Sequence, residues 1–147
     1  MKNIKLIFSI AILSIALFSF TTINTSTKYK CMVQMANYVG EGAYVVISLI
    51  NPDGQYEKTL YVQGDDEEWY KDIDALTGAT ISGGERAISV IQIEDSKIDA
   101  GYSIRFESAV EDQEYYTKDV QFLLTSESVK SKTEGSGFIR YVRLMPN

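Results

Sequence analysis

"AYVVISLINPDGQYEKTLYVQ", residues 43–63, decides the fold. Ala43 to Ile50 is an apolar run rich in β-branched residues, which suit extended backbone. Asn51-Pro52-Asp53-Gly54 interrupts it. Pro presets one turn dihedral, Asn and Asp bond their own backbone, and Gly accepts a positive φ. Tyr56 to Gln63 then resumes with alternating polarity. Two such runs around such a turn predict a β-hairpin.

The same pattern extends in both directions. Tyr29–Asn37, Arg86–Ile93, Tyr102–Val110, Tyr115–Leu124 and Phe138–Met145 read as further strands, which makes seven. No run keeps a long 3.6-residue period, and Asp65 to Ala75 is the only stretch that suits a helical turn. Thr125 to Gly137 is polar and rich in Ser and Gly, and reads as a mobile loop before an integral last strand. The expected fold is all-β: an immunoglobulin-like antiparallel β-sandwich of about seven strands, with a small closed barrel as the alternative.

The N-terminus has a different character. Met1 to Lys5 carries two lysines, and Leu6 to Phe20 is apolar apart from three serines. Small polar residues follow. A basic start, a short apolar stretch and a polar tail read as a secretory signal. The stretch is shorter than the roughly 20 residues that span a bilayer. No clean A-x-A site is visible, so an uncleaved anchor is the alternative. Cys31 lies in KYKC, which is not a lipobox. Residues 1–27 are thus expected to be signal and tail, residues 28–147 one sandwich domain, and the location periplasmic or otherwise extracytoplasmic.

Composition excludes several chemistries. The 147-residue chain has a formal charge of -6. Without Lys2 and Lys5 the remainder holds 12 basic against 20 acidic residues, or -8. That balance repels phosphate backbones, so no nucleic-acid partner is expected. No basic amphipathic stretch suggests anionic lipid, and no direct membrane binding is expected after signal removal. The chain contains no histidine. It therefore holds no Ser-His-Asp triad, no Cys-His dyad and no His-ligated zinc. Its single cysteine, Cys31, forms no internal disulfide and reads as a buried apolar group. An enzyme of the hydrolase type is not expected, and no catalytic or metal-ligating set is assigned. Asp65, Asp66, Glu67 and Glu68 fit no calcium loop and read as a solvated acidic face.

One stretch between strands carries hydroxyls among small residues. "IDALTGATISGG", residues 73–84, combines an Asp, two Thr and several small residues. Gly78 and Ala79 let another molecule approach the backbone, while Thr77 and Thr80 offer hydroxyls. Asp74 can bond the turn's backbone or orient a hydroxyl. Read by composition alone, these are turn residues that cap their own backbone between two strands.

Asp74-Ala75-Leu76-Thr77-Gly78-Ala79-Thr80 resembles the flavinylation motif, roughly D-x-x-[ST]-G-A-[ST], of the FMN-carrying subunits of sodium-pumping quinone reductases and Rnf-type complexes. There a flavin transferase joins FMN through its phosphate to the last hydroxyl. The resemblance puts Asp74, Thr77, Gly78 and Ala79 at recognition positions and Thr80 at the acceptor. Trp69 or Tyr70, just upstream, then shields one face of a covalent FMN. The match covers seven residues, and the rest of the chain does not look like those subunits.

A second resemblance spans most of the chain. GAYVVISLINPDGQYEKTLYVQGDDEEWY, DALTGATISGGERAISV, DAGYSIRFESAVEDQEYY and GFIRYVRLMPN resemble a family of predicted periplasmic bacterial proteins, distantly like the immunoglobulin-type module of flagellar hook-capping proteins. The hook-capping likeness concerns fold alone. Members are commonly associated with flavin transferases and with heme- or iron-linked membrane reductases. The resemblance implies an exported accessory protein of extracytoplasmic electron transfer, a carrier rather than an enzyme, with a flavin transferase and a membrane reductase as partners. The alternative is a non-enzymatic binding or structural module in which residues 73–84 are only an inter-strand loop.

Overall fold

The computed structural model describes residues 23–65 and 79–147. The strands are β1 (Ser26–Met35), β2 (Ala43–Ile50), β3 (Tyr56–Gln63), β4 (Arg86–Glu94), β5 (Ser103–Val110), β6 (Tyr115–Leu123), β7 (Lys132–Glu134) and β8 (Ile139–Pro146). They form two four-stranded sheets, ordered β4-β1-β8-β7 and β3-β2-β5-β6. Every pairing between strands is antiparallel.

This order is the immunoglobulin plan with its first strand moved to the end. In that plan strand B lies between A and E, while C lies beside F and F beside G. Here β1 takes the place of B, flanked by β4 and β8, and β2 takes the place of C, flanked by β3 and β5. With β5 as F and β6 as G, β8 is left at the position of A. The chain therefore reaches last the strand that an immunoglobulin domain makes first.

Period-two patterning builds the core. On β1, Tyr29, Cys31, Val33 and Met35 face inward and are buried, while Lys28 and Lys30 face solvent. Ile91 and Ile93 of β4, Val142 and Leu144 of β8, and Ile104 and Phe106 of β5 meet them. Strand β2 differs, because all eight of its residues are buried. Its apolar run, broken only by the buried Ser48, is what a strand covered on both faces requires.

The predicted hairpin stands with both its predicted boundaries. The Asn51 side chain accepts from the amides of Asp53 (3.0 Å) and Gln55 (2.9 Å), and Gly54 adopts φ +81°. The other predicted strands shift at their ends. β1 starts three residues before Tyr29, at Ser26, so Ser26 and Thr27 belong to the sheet rather than to a polar tail. There Thr27 donates to Asp95 at 2.6 Å.

Residues 125–137 also differ from the sequence reading. They contain a 3₁₀ turn at Ser128–Lys130 and the short strand β7, so among the described residues the strands number eight where about seven were expected. The buried Asp119 of β6 fastens this region. Its carboxylate accepts from the amides of Ser136 (2.9 Å), Gly137 (2.7 Å) and Ile139 (2.8 Å), and from the Ser108 hydroxyl. Four donors satisfy a charge that burial would otherwise penalise heavily. Apart from Asp65, the predicted helical turn at 65–75 lies outside the described residues.

Candidate functional site

The end of the sandwich where β1 and β5 finish and β2, β4 and β6 begin gathers several connections. The chain between β1 and β2 and the residues leading into β4 are stitched together there. Ala43 and Ile81 form an isolated antiparallel bridge, with N–H to O distances of 2.7 and 3.0 Å. The Gly84 amide donates to Ala36 O at 2.9 Å, and the Met35 amide to Glu85 O at 2.9 Å. Gln34 adds side-chain bonds to the carbonyls of Gly84 and Glu85. Ser82 N donates to the Glu85 carboxylate at 2.9 Å, which closes the turn locally.

Tyr38 clamps the bridge. Its hydroxyl donates to Ile81 O and accepts from Ala43 N at 2.9 Å. Its ring meets Phe138 edge-on, with centroids 4.9 Å apart. Burial pushes the Tyr38 phenol above its ordinary pKa, against the lowering effect of the Ala43 amide. The hydroxyl therefore stays protonated and able to donate throughout the neutral range.

Thr80 is the residue just before this anchored bridge. It is half-buried, and Ala79 beside it is exposed. Ala79 O accepts from Gln63 Nε2 at 2.6 Å, which ties the segment to the end of β3 as well. Gly42 lies directly under the Thr80 side chain, where a Cβ would overlap the hydroxyl oxygen and stand 2.6 Å from the threonine Cβ. Glycine leaves the only space in which this side chain fits against the backbone. No described residue forms a hydrogen bond with the Thr80 hydroxyl.

A cleft of about 410 Å³ opens at the same place, lined by Glu41, Gly42, Tyr44, Asp65, Thr80 and Glu111. Tyr44 donates to Asp65 at 3.1 Å. Three carboxylates around one hydroxyl make the cleft electronegative. That environment disfavours a free phosphate, and Thr80 offers the one aliphatic hydroxyl of the lining, beside the Tyr44 phenol. Among the described residues no group of three or more acidic or sulfur ligands is placed to hold a metal ion.

Of the residues singled out in the sequence, Thr80 and Ala79 stand at this cleft. Asp74, Thr77, Gly78 and Trp69 lie outside the described residues, as does Tyr70. Gly42, Tyr38 and Gln63 were not singled out. Gly42 and Tyr38 reach Thr80 through the bridge between Ala43 and Ile81, and Gln63 through its bond to Ala79 O. Cys31 is buried, as its apolar segment predicts, and burial pushes its thiol up to about 12.

The fold and this site define an antiparallel immunoglobulin-like sandwich whose one cleft-lining threonine is held open by a glycine. The family comparison places the chain more closely. A model described as "Predicted periplasmic protein (DUF2271)" matches residues 26–74 and 70–141, and the chain belongs to that family. Its location is accordingly periplasmic. No curated protein and no solved structure matches the chain.

Proposed function

We propose that this periplasmic protein carries FMN covalently on Thr80 and serves extracytoplasmic electron transfer. The observation that carries this reading is the state of Thr80. The last residue of DALTGAT is half-exposed on a cleft, its hydroxyl is engaged by no described residue, and the residue after it is bridged to β2. An acceptor for a large cofactor needs both properties: a reachable oxygen and a fixed place from which to hold the product.

The attachment step is a phosphoryl-type substitution. The Thr80 oxygen attacks the FMN phosphorus of a donor that carries FMN on an activated phosphate, such as a flavin dinucleotide. One P–O bond forms, the P–O bond to the leaving nucleotide breaks, and the hydroxyl proton passes to base. No oxidation state changes. The flavin, once attached, supplies the redox chemistry, and the protein positions it.

The electronegative cleft supports covalent over reversible carriage. Glu41 and Asp65 disfavour the phosphate of free FMN, so affinity alone would not keep it. An ester bond does, and outside the cytoplasm a loosely bound flavin is lost. Position supports the role as well. Thr80 lies at the opposite end of β1 from Ser26, and ten extended residues span about 30 Å. The cofactor is thus carried far from the chain's entry into the fold, toward a donor or acceptor such as a membrane reductase. A flavin transferase is the partner that makes the ester.

The test is co-expression with a periplasmic flavin transferase, followed by denaturing gel electrophoresis. Flavin fluorescence that stays with the band, and is absent from Thr80→Val, is the expected result. A band without fluorescence, while a known acceptor in the same cells is labelled, contradicts the reading.

A further inference from the structure

The outward face of the β4-β1-β8-β7 sheet separates charge in a way the chain as a whole does not. The ladders set side by side Lys30 with Val90 and Met145, then Ile88, Met32, Arg143 and Lys132 in one row. Lys28 continues the row of β1, and Arg86 opens β4 beside Gln34, to which its Nε donates at 3.0 Å. Five cations thus share one face of a chain whose part after Lys5 holds 20 acids and only 12 bases.

All five are exposed, and none of them forms an ion pair among the described residues. Glu134, opposite Tyr141, is the one carboxylate in the central rows. Apolar side chains lie between the cations. Ile88 is 64% and Val90 49% exposed, and Met32 and Met145 are half-buried beside them. Strand β4 forms the edge, so both exposed branched residues sit at the rim of the sheet.

We infer that this face docks on an anionic lipid surface. A sheet face with side chains spread over neighbouring strands offers no pocket for a single phosphate. It suits a plane of negative headgroups, with the cations at headgroup level and Ile88 and Val90 against the acyl boundary. The acidic remainder of the molecule is repelled by the same surface, which fixes the orientation. The inference reverses the expectation of no direct membrane binding. Alternation hides the face in the sequence, because Tyr29 and Cys31 separate Lys28, Lys30 and Met32.

The exported protein, recovered after processing in cells, is sedimented with vesicles of neutral lipid or of neutral lipid mixed with phosphatidylglycerol. Each surface cation contributes about fivefold to partitioning near an anionic membrane. Neutralising Lys28, Lys30 and Arg143 to Gln is therefore expected to weaken binding to the anionic vesicles on the order of a hundredfold. A second variant with Lys58, Arg105 and Lys118 changed to Gln has the same net charge but alters the rest of the molecule, and is expected to bind like the unaltered protein. Ile88→Asn with Val90→Asn is expected to weaken binding severalfold while keeping its salt dependence. Equal losses in the two charge variants, or no preference of the unaltered protein for anionic vesicles, overturn the inference. In the second case the face would belong to an acidic protein partner.

Discussion

A Cβ on Gly42 would overlap the Thr80 hydroxyl, so the residue that begins the approach to β2 sets how the candidate acceptor stands. Gly42→Ala is therefore expected to displace the Thr80 side chain or the turn that carries it. Flavin labelling should fall at least tenfold, although Gly42 bears no reactive group. Melting should shift by only a few degrees, since the strain lies at the rim of the sandwich. Gly42→Ala labelled as well as the unaltered protein would show that Thr80 does not depend on this space.

Tyr38 should behave as a positioning residue. Tyr38→Phe keeps the ring against Phe138 but removes the bonds to Ile81 O and Ala43 N. One such bond contributes about 1 kcal/mol, and without it Ala43 N and Ile81 O are held only by their bond to each other. Faster amide exchange at Ala43 and Ile81, with little change elsewhere, is the expected signature. Global destabilisation spread over all strands would assign Tyr38 to the core instead.

Asp119 carries a different burden. Its carboxylate accepts from three amides and the Ser108 hydroxyl across the turn into β8. Asp119→Ala leaves the Ser108 hydroxyl and the Ile139 amide buried without that acceptor, and the part-buried Gly137 amide with them. We expect a loss of about 3 kcal/mol, since each buried donor left unsatisfied costs about 1–3 kcal/mol. Asp119→Asn should also destabilise, because an amide nitrogen would face a donor. Chemical denaturation measures both, and a loss below about 1 kcal/mol would contradict this role.

The opposite end of the sandwich should loosen in acid. Thr27 and then Thr25 hold the Asp95 carboxyl below its ordinary value of 3.8 through hydrogen bonds. The Ser126 hydroxyl and then the Ser126 amide do the same for Asp99. A lowered folded-state pKa means that the stabilisation is complete above about 3.8 and is lost as pH falls through the folded values. Protection factors of the amides around residues 95–99 and 124–126 are expected to fall below that pH and to stay flat between pH 5 and 8. In Asp95→Asn and Asp99→Asn the acid step should shrink. Unchanged acid sensitivity in both variants would place its origin elsewhere.

Local signals made the hairpin readable. The β-branched run of β2 and the Asn-Pro-Asp-Gly turn act within a few residues, so both strands of the hairpin matched their predicted bounds. Long-range pairing decided what the sequence missed. Ser26 and Thr27 are polar, yet their partners Glu94 and Ile93 draw them into the sheet. The three residues of β7 have no strand signal of their own and are extended because Arg143, Val142 and Tyr141 lie opposite. The site divides in the same way. The motif pointed to Thr80, but nothing near it in the sequence pointed to Gly42 or Tyr38, which reach it through one backbone bridge. Cys31 shows the reverse case: its apolar neighbours sufficed to place it inside.

The cleft itself makes a prediction about free cofactor. With Glu41, Asp65 and Glu111 on its rim, unesterified FMN should not bind measurably in the micromolar range. Equilibrium dialysis against FMN alone checks this. Saturable micromolar binding would mean that reversible affinity, not an ester, holds the flavin.

The most direct measurement is the intact mass of the protein exported from cells that contain an active flavin transferase. The account predicts a gain of one FMN less one water, localised to the peptide containing Thr80 and absent from Thr80→Val and Thr80→Ala. An unchanged mass, in cells where another acceptor is fully modified, would contradict it, as would the same gain in mass with Thr80 replaced.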